Sequence, residues 1–182
     1  HAGPDDVILT FGSGMTSVVN KLQRILGLKE CSLHKKKNCF SLSDRPVVFI
    51  THMEHHSNHT SWYETFADVV MLNPTGNLMI DLDALEEEVN KYADRKFKIG
   101  AFTACSNVTG IITPYHEMAA IMHRHQGLCF IDFAASAPYV QIDMHPEDPL
   151  QKLDAVYFSP HKFLGGPGSS GVLVFNASLY HA

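Results

Sequence analysis

The sequence has no stretch approaching the roughly 18 consecutive apolar residues that a membrane-spanning helix needs. It has no long basic block: Lys+Arg 14 against Asp+Glu 19 leaves a net charge of −5, and Lys35-Lys36-Lys37 is its one basic cluster. A mildly acidic chain of this kind is a poor partner for nucleic acid, and three lysines in a polar stretch read as a solvated loop. The four cysteines, Cys31, Cys39, Cys105 and Cys129, form no CxxC pair. Cys105 and Cys129 sit in apolar runs, where a thiol behaves as a small hydrophobe. Nothing therefore demands an oxidising compartment, and the expected location is the cytoplasm or a reducing organelle matrix. Internal repeats and low-complexity segments are absent. The opening His1-Ala2-Gly3-Pro4 is no secretory signal, and without an initiator Met the chain is expected to be cut from something longer. What is present, 182 residues with 45% hydrophobic and 18% charged, suffices for one domain with a real core.

The hydrophobic pattern alternates between short apolar runs and amphipathic stretches. Val7–Leu9, Val47–Ile50, Val69–Leu72, Phe97–Cys105, Leu128–Ile131, Asp154–Phe158 and Gly171–Phe175 read as strands. Met15–Leu26 reads as a helix closed by Gly27, residues 54–66 as a second and Asp83–Tyr92 as a third. Thr113-Pro114 predicts a fourth helix, with Thr as N-cap and Pro at its first position, running to about His125. Strands alternating with helices of this length predict an α/β fold: three layers, α/β/α, around a mostly parallel sheet. Ligands of such sheets sit beyond the carboxyl ends of the strands. The polar residues there are Gly12–Thr16, His52–Asn58, Ser106-Asn107, Asp132 and Ser159–Lys162.

Lys162 follows a buried strand, next to His161 and ahead of a glycine-rich run. A lysine there either snorkels to solvent or serves as a Schiff-base lysine beside an electron sink. Asp132 ends the very apolar run Cys129-Phe130-Ile131. A carboxylate in that place is a helix cap or the partner of a cation, of which the pyridinium of pyridoxal phosphate (PLP) is one. Gly12-Ser13-Gly14-Met15-Thr16 opens a helix with small residues and hydroxyls, a candidate phosphate cradle that is neither a Walker sequence nor GxGxxG.

Thr51–Asn58, Cys105–Gly110, Phe130–Ala135 and Ser159–Gly168 together resemble the class V aminotransferase family of PLP enzymes, nearest to the group-II cysteine desulfurases. The likeness runs from about residue 7 to residue 176, and Met53–Asn58 and Ser159–Lys162 are its most specific parts. It implies that residues 1–182 are the PLP-binding large domain of a fold-type I homodimer acting on an amino acid, with a sulfur acceptor if it is a desulfurase. Lys162 would form the Schiff base and move the Cα proton, Asp132 would bind the pyridine nitrogen, and His55 would stack on the ring. Asn107 would lie near the phenolic oxygen and the substrate carboxylate. Gly14, Met15, Thr16, Ser159 and His161 would hold the phosphate, and Ser169 or Ser170 would reach it across the dimer interface. Two features depart from the family: Ala135 stands where the family has Gln or His, and none of the four cysteines matches the family nucleophile. That nucleophile and the substrate-binding arginine belong to a later part of the family chain.

The histidines offer a competing reading. His52, His55, His56 and His59, four of the 12 in the chain, have helical spacing and would lie on one helix face as zinc ligands of a hydrolase, though without an HExxH motif. A non-catalytic module that kept the fold is a third.

Overall fold

A computed structural model describes residues 2–29, 41 and 43–180. Lys35–Lys37, Cys31 and Cys39 lie outside the described residues. Seven strands form one sheet: β1 (Asp6–Phe11), β2 (Val47–Thr51), β3 (Asp68–Leu72), β4 (Lys98–Thr103), β5 (Leu128–Asp132), β6 (Ala155–Phe158) and β7 (Gly171–Asn176). Four α-helices accompany them: α1 (Gly14–Ile25), α2 (His56–Tyr63), α3 (Leu82–Asn90) and α4 (Tyr115–Arg124). The strand order is β1-β7-β6-β5-β4-β2-β3.

Every residue of β2 and β4 is buried, as expected of strands covered on both faces. Their side chains alternate between two cores. Val48, Ile50, Ala101, Phe130 and Tyr157 pack with Val18, Leu22 and Trp62 from α1 and α2. Val47, Phe49, Phe102, Ile131 and Val156 pack with Leu85, Met118 and Met122 from α3 and α4. This period-2 division produces the expected α/β/α layering. Helix α1 supplies its share from Met15, Val18, Val19 and Leu22, the i, i+3, i+4, i+7 stripe, and Gly27 follows its C-cap in the left-handed region at φ 68°.

Strands β2 to β6 run parallel, while β7 is antiparallel to both of its neighbours, β1 and β6. The insertion of β7 keeps β1 parallel to β6. The end of β1, the start of β7 and the carboxyl ends of β2, β4, β5 and β6 therefore share one edge of the sheet.

Two local expectations are corrected. Thr113 does not cap α4; Pro114 occupies the N-cap, and the Thr113 hydroxyl donates to Thr103 O at 2.6 Å. The hydroxyl thus secures the end of β4, which outcompetes a local capping bond. Helix α2 starts at His56, capped by His55, not at residue 54. Only His56 and His59 of the four histidines are helical, so the single helix face proposed for them does not exist. His52 turns away to Leu78 O at 2.9 Å. Among the described residues no group of three or more His, Cys, Asp or Glu could hold a metal ion, and the zinc reading falls.

Candidate active site

Asp132 is the last residue of β5 and is 2% exposed. Burial pushes its pKa up to about 6; the Ala134 N–H, donating to Oδ1 at 2.7 Å, and the Lys162 charge pull the other way. A carboxylate held this way, with one neutral donor and a nearby lysine, favours ionisation whenever a further cation approaches.

Lys162 ends a 3₁₀ turn, Pro160–Lys162, that starts after β6, and it is exposed. His55 lies close enough to feel the same ammonium. Burial lowers the His55 pKa, and the Lys162 and His56 charges lower it further, which keeps the imidazole neutral. Its Nδ1 accepts from Ser57 N–H at 3.3 Å and sits 2.8 Å from Ser57 Oγ. Ser57 Oγ in turn donates to Met15 Sδ at 3.2 Å, so the ring is anchored through α2 to α1. Asp132 and His55 thus both lie within reach of the Lys162 charge.

The start of α1 lies against the Lys162 turn. Met15 N–H donates to Ser159 Oγ at 2.8 Å, and Ser159 is buried. Gly14 sits at φ 69°, and a Cβ there would lie 2.7 Å from His161 Cε1 and 3.4 Å from Ser159 Oγ, so only glycine fits. Ser13 caps the helix without a side-chain hydrogen bond and the first turn carries no acid. Gly14, Met15, Ser159 and His161 are therefore together, with Thr16 exposed beside them. Ser170 forms a parallel bridge to Gly14, whereas Ser169 Oγ is buried with no partner among the described residues. Asn107 stands apart: it is exposed and lines a cavity of 230 Å³ with His52, Met53, Glu54 and Ser106, from which His55, Asp132 and Lys162 are missing.

One group was given no role in the sequence. Glu54 is buried, and its Oε1 accepts from Thr51 Oγ1 at 2.8 Å and Thr103 N at 3.0 Å while Oε2 accepts from Asn58 Nδ2 at 2.7 Å. Burial pushes its pKa up to about 8 despite the Asn58, Thr51 and Thr103 bonds, and the Asp132 charge adds to the rise. The Asn58 oxygen accepts from Tyr157 OH at 2.7 Å and Trp62 Nε1 at 3.3 Å. Glu and Asn four residues apart, directly after an all-apolar strand, were the available signal.

Chemically, this edge offers an amine, a buried carboxylate, a neutral imidazole and an anion-ready helix terminus within one pocket of charge. The family model "Aminotransferase class-V" matches residues 33–182. The "Probable cysteine desulfurase" of Halalkalibacterium halodurans is 33% identical over 175 residues, covering 95% of this chain and 38% of the relative. The "Cysteine desulfurase" of Synechococcus elongatus is 28% identical, covering 100% of this chain and 26% of its own length. Among solved structures, a cysteine desulfurase of Escherichia coli superposes with TM-score 0.72 at 24% identity, over 96% of this chain and 39% of that one. Serine palmitoyltransferase of S. paucimobilis, solved with bound PLP–myriocin aldimine, has TM-score 0.68 at 17% identity, over 97% and 39%. These structures share the fold, and the chain spans about two fifths of their length.

Proposed function

The chain belongs to the class V aminotransferase family, and on that premise we propose that it is the cofactor-binding large domain of a PLP enzyme that acts on an amino acid through Lys162. The observation that carries this is the shared environment of Lys162, Asp132 and His55 beside the open end of α1.

The residues present suit PLP. The start of α1, with its unfilled side-chain cap, the glycine-only position 14, Ser159 and His161, matches a phosphate dianion. Ser169 or Ser170 would add a hydroxyl to the phosphate across the proposed homodimer interface. Asp132 matches a protonated ring nitrogen: ionised beside that N–H, it regains the charge partner that burial denies it. His55, held neutral and anchored by Ser57, presents a flat face for stacking.

Bound there, PLP supplies an electron sink for the amino acid's Cα. Lys162 would hold the cofactor, and its Nζ would accept the amino acid's Cα proton. Asp132 would keep the ring nitrogen protonated. The relatives' names favour cysteine as substrate and sulfur transfer to an acceptor as the outcome. The buried free thiols Cys105 and Cys129 are suited to a reducing compartment.

Borohydride reduction after PLP addition, followed by peptide mapping, tests the proposal. Irreversible pyridoxyl labelling of Lys162 is expected. Labelling at another lysine, or none in a folded full-length protein, would sink it.

A further inference from the structure

The sheet is split where the site sits. Strand β2 stays paired to β3 up to Thr51↔Leu72, and β4 stays paired to β5 up to Thr103↔Asp132. Between β2 and β4, however, pairing covers only Val47–Phe49 against Lys98–Gly100. Beyond that point the backbone groups that a neighbouring strand would satisfy need other partners, because buried peptide groups do not stay unpaired.

Two side chains from the segment after β2 fill the opening. Asn58 Nδ2 reaches Ala101 O at 3.3 Å, and Glu54 Oε1 takes Thr103 N–H at 3.0 Å. On the other side of the gap the same Oε1 takes the Thr51 hydroxyl at 2.8 Å and faces Thr51 N at 3.4 Å. Glu54 is bonded to Asn58, and Asn58 is bonded to Tyr157 of β6, five residues ahead of Lys162. The Asn58 amide has all four of its hydrogen bonds made, two given and two received, so its orientation is fixed. His55 lies between these two residues in sequence and caps the helix that carries Asn58.

We propose that Glu54 and Asn58 are positioning residues: they replace the missing β2–β4 ladder and thereby fix the His55 ring relative to Asp132 and the Lys162 turn. The pair joins the three elements that carry the site, α2, β5 by way of Thr103, and β6. The inference rests on the PLP reading above, because that reading gives His55 its ring to stack on.

A double-mutant cycle in the full-length, PLP-loaded protein tests it. Glu54→Gln sets two amide donors against each other, and Asn58→Asp sets two carboxylates against each other. Each is expected to weaken PLP binding by about tenfold or more and to change the induced circular dichroism of the bound cofactor. Combined, they restore the amide–carboxylate bond between the two positions with exchanged roles but leave a carboxylate facing Ala101 O, so the doubly substituted protein should lose several-fold less affinity than the two single losses added together. The isosteric Thr51→Val, which deletes one donor to Glu54, covers the case in which a singly substituted protein does not fold, and should weaken binding about two- to fivefold with an altered signal.

Unchanged affinity and dichroism in Glu54→Gln, or losses that simply add in the doubly substituted protein, overturn the proposal. So does an unchanged Thr51→Val when the single substitutions fail to fold. A wild-type protein unlabelled at Lys162 overturns the PLP reading itself, and that failure is visible before any substitution is made.

Discussion

Replacing Asp132 by Asn should make the cofactor-free protein more stable while destroying its use of PLP. Asn keeps the size of the side chain and an oxygen to accept the Ala134 N–H, now at 2.7 Å. What it removes is a buried charge. The rise of the Asp132 pKa from 3.8 to about 6 means that the ion is disfavoured in the fold, and at 1.4 kcal/mol for each tenfold in proton affinity the charge costs about 3 kcal/mol. For an acid whose folded pKa is raised, the cost begins above the unfolded value of 3.8 and is complete above about 6. The gain from Asn should therefore be about 3 kcal/mol at pH 8 and fall below about 1 kcal/mol at pH 4. Loss of the Asp132 charge also eases the ionisation of Glu54, which acts in the same direction. The assay is urea unfolding of the cofactor-free protein at the two pH values, with and without saturating PLP. Saturating cofactor should stabilise the wild-type protein far more than it stabilises Asp132→Asn, which reverses their order. Equal stability at pH 8, or a gain that does not depend on pH, would refute the reasoning, because the buried ion would then carry no penalty for a cofactor to relieve.

Two further outcomes follow from packing and protonation elsewhere. A Cβ on Gly171 would overlap the Gly14 carbonyl, backbone against backbone; Gly171→Ala should therefore cost about 1–3 kcal/mol in thermal unfolding and weaken PLP binding by pushing α1 away from β7. The ring of His123 faces two acceptors, Leu150 O at 2.6 Å and Asp154 Oδ2 at 2.8 Å, an arrangement that only an imidazolium satisfies. Burial opposes that cation, but Asp154 and Leu150 outweigh it and raise the His123 pKa above 6.5. Its stabilisation is thus complete below pH 6.5 and lost as pH rises through the higher folded value. His123→Gln should flatten the pH dependence of melting above pH 6.5, and an unchanged profile would refute the assignment.

The layering was legible because strands buried on both faces leave nearly continuous apolar runs, as Val47–Ile50 of β2 and Ile99–Phe102 of β4 do. The site edge followed from where those runs end, at Thr51, Thr103, Asp132 and Phe158. The antiparallel course of β7 was not legible, since direction depends on which neighbours a strand meets and leaves no mark on its own residues. The histidine face failed because helical spacing was counted across a helix start that His55 itself defines. Thr113 misled for a related reason: a capping signal is local, and a carbonyl ten residues away in sequence, that of Thr103, was the stronger partner. Glu54 and Asn58 were hidden by their surroundings, because their roles exist only once β2 and β4 have parted.

The placement of β7 sets the order in which the molecule can be assembled. Met15 and Ser159, whose bond closes the proposed phosphate cradle, are separated by 144 positions, and among the described residues β1 has no strand neighbour until Gly171–Asn176 arrives. At a synthesis rate of about 5–20 residues per second, a nascent chain spends on the order of ten seconds or more with the first half of its cradle made and the second half absent. Throughout that interval the exposed Ile8 and Phe11 of β1 have no sheet to join. Such long-range pairing folds slowly, so the edge that carries Gly14, Ser159 and Lys162 is completed late, when β7 pairs with β1 and β6.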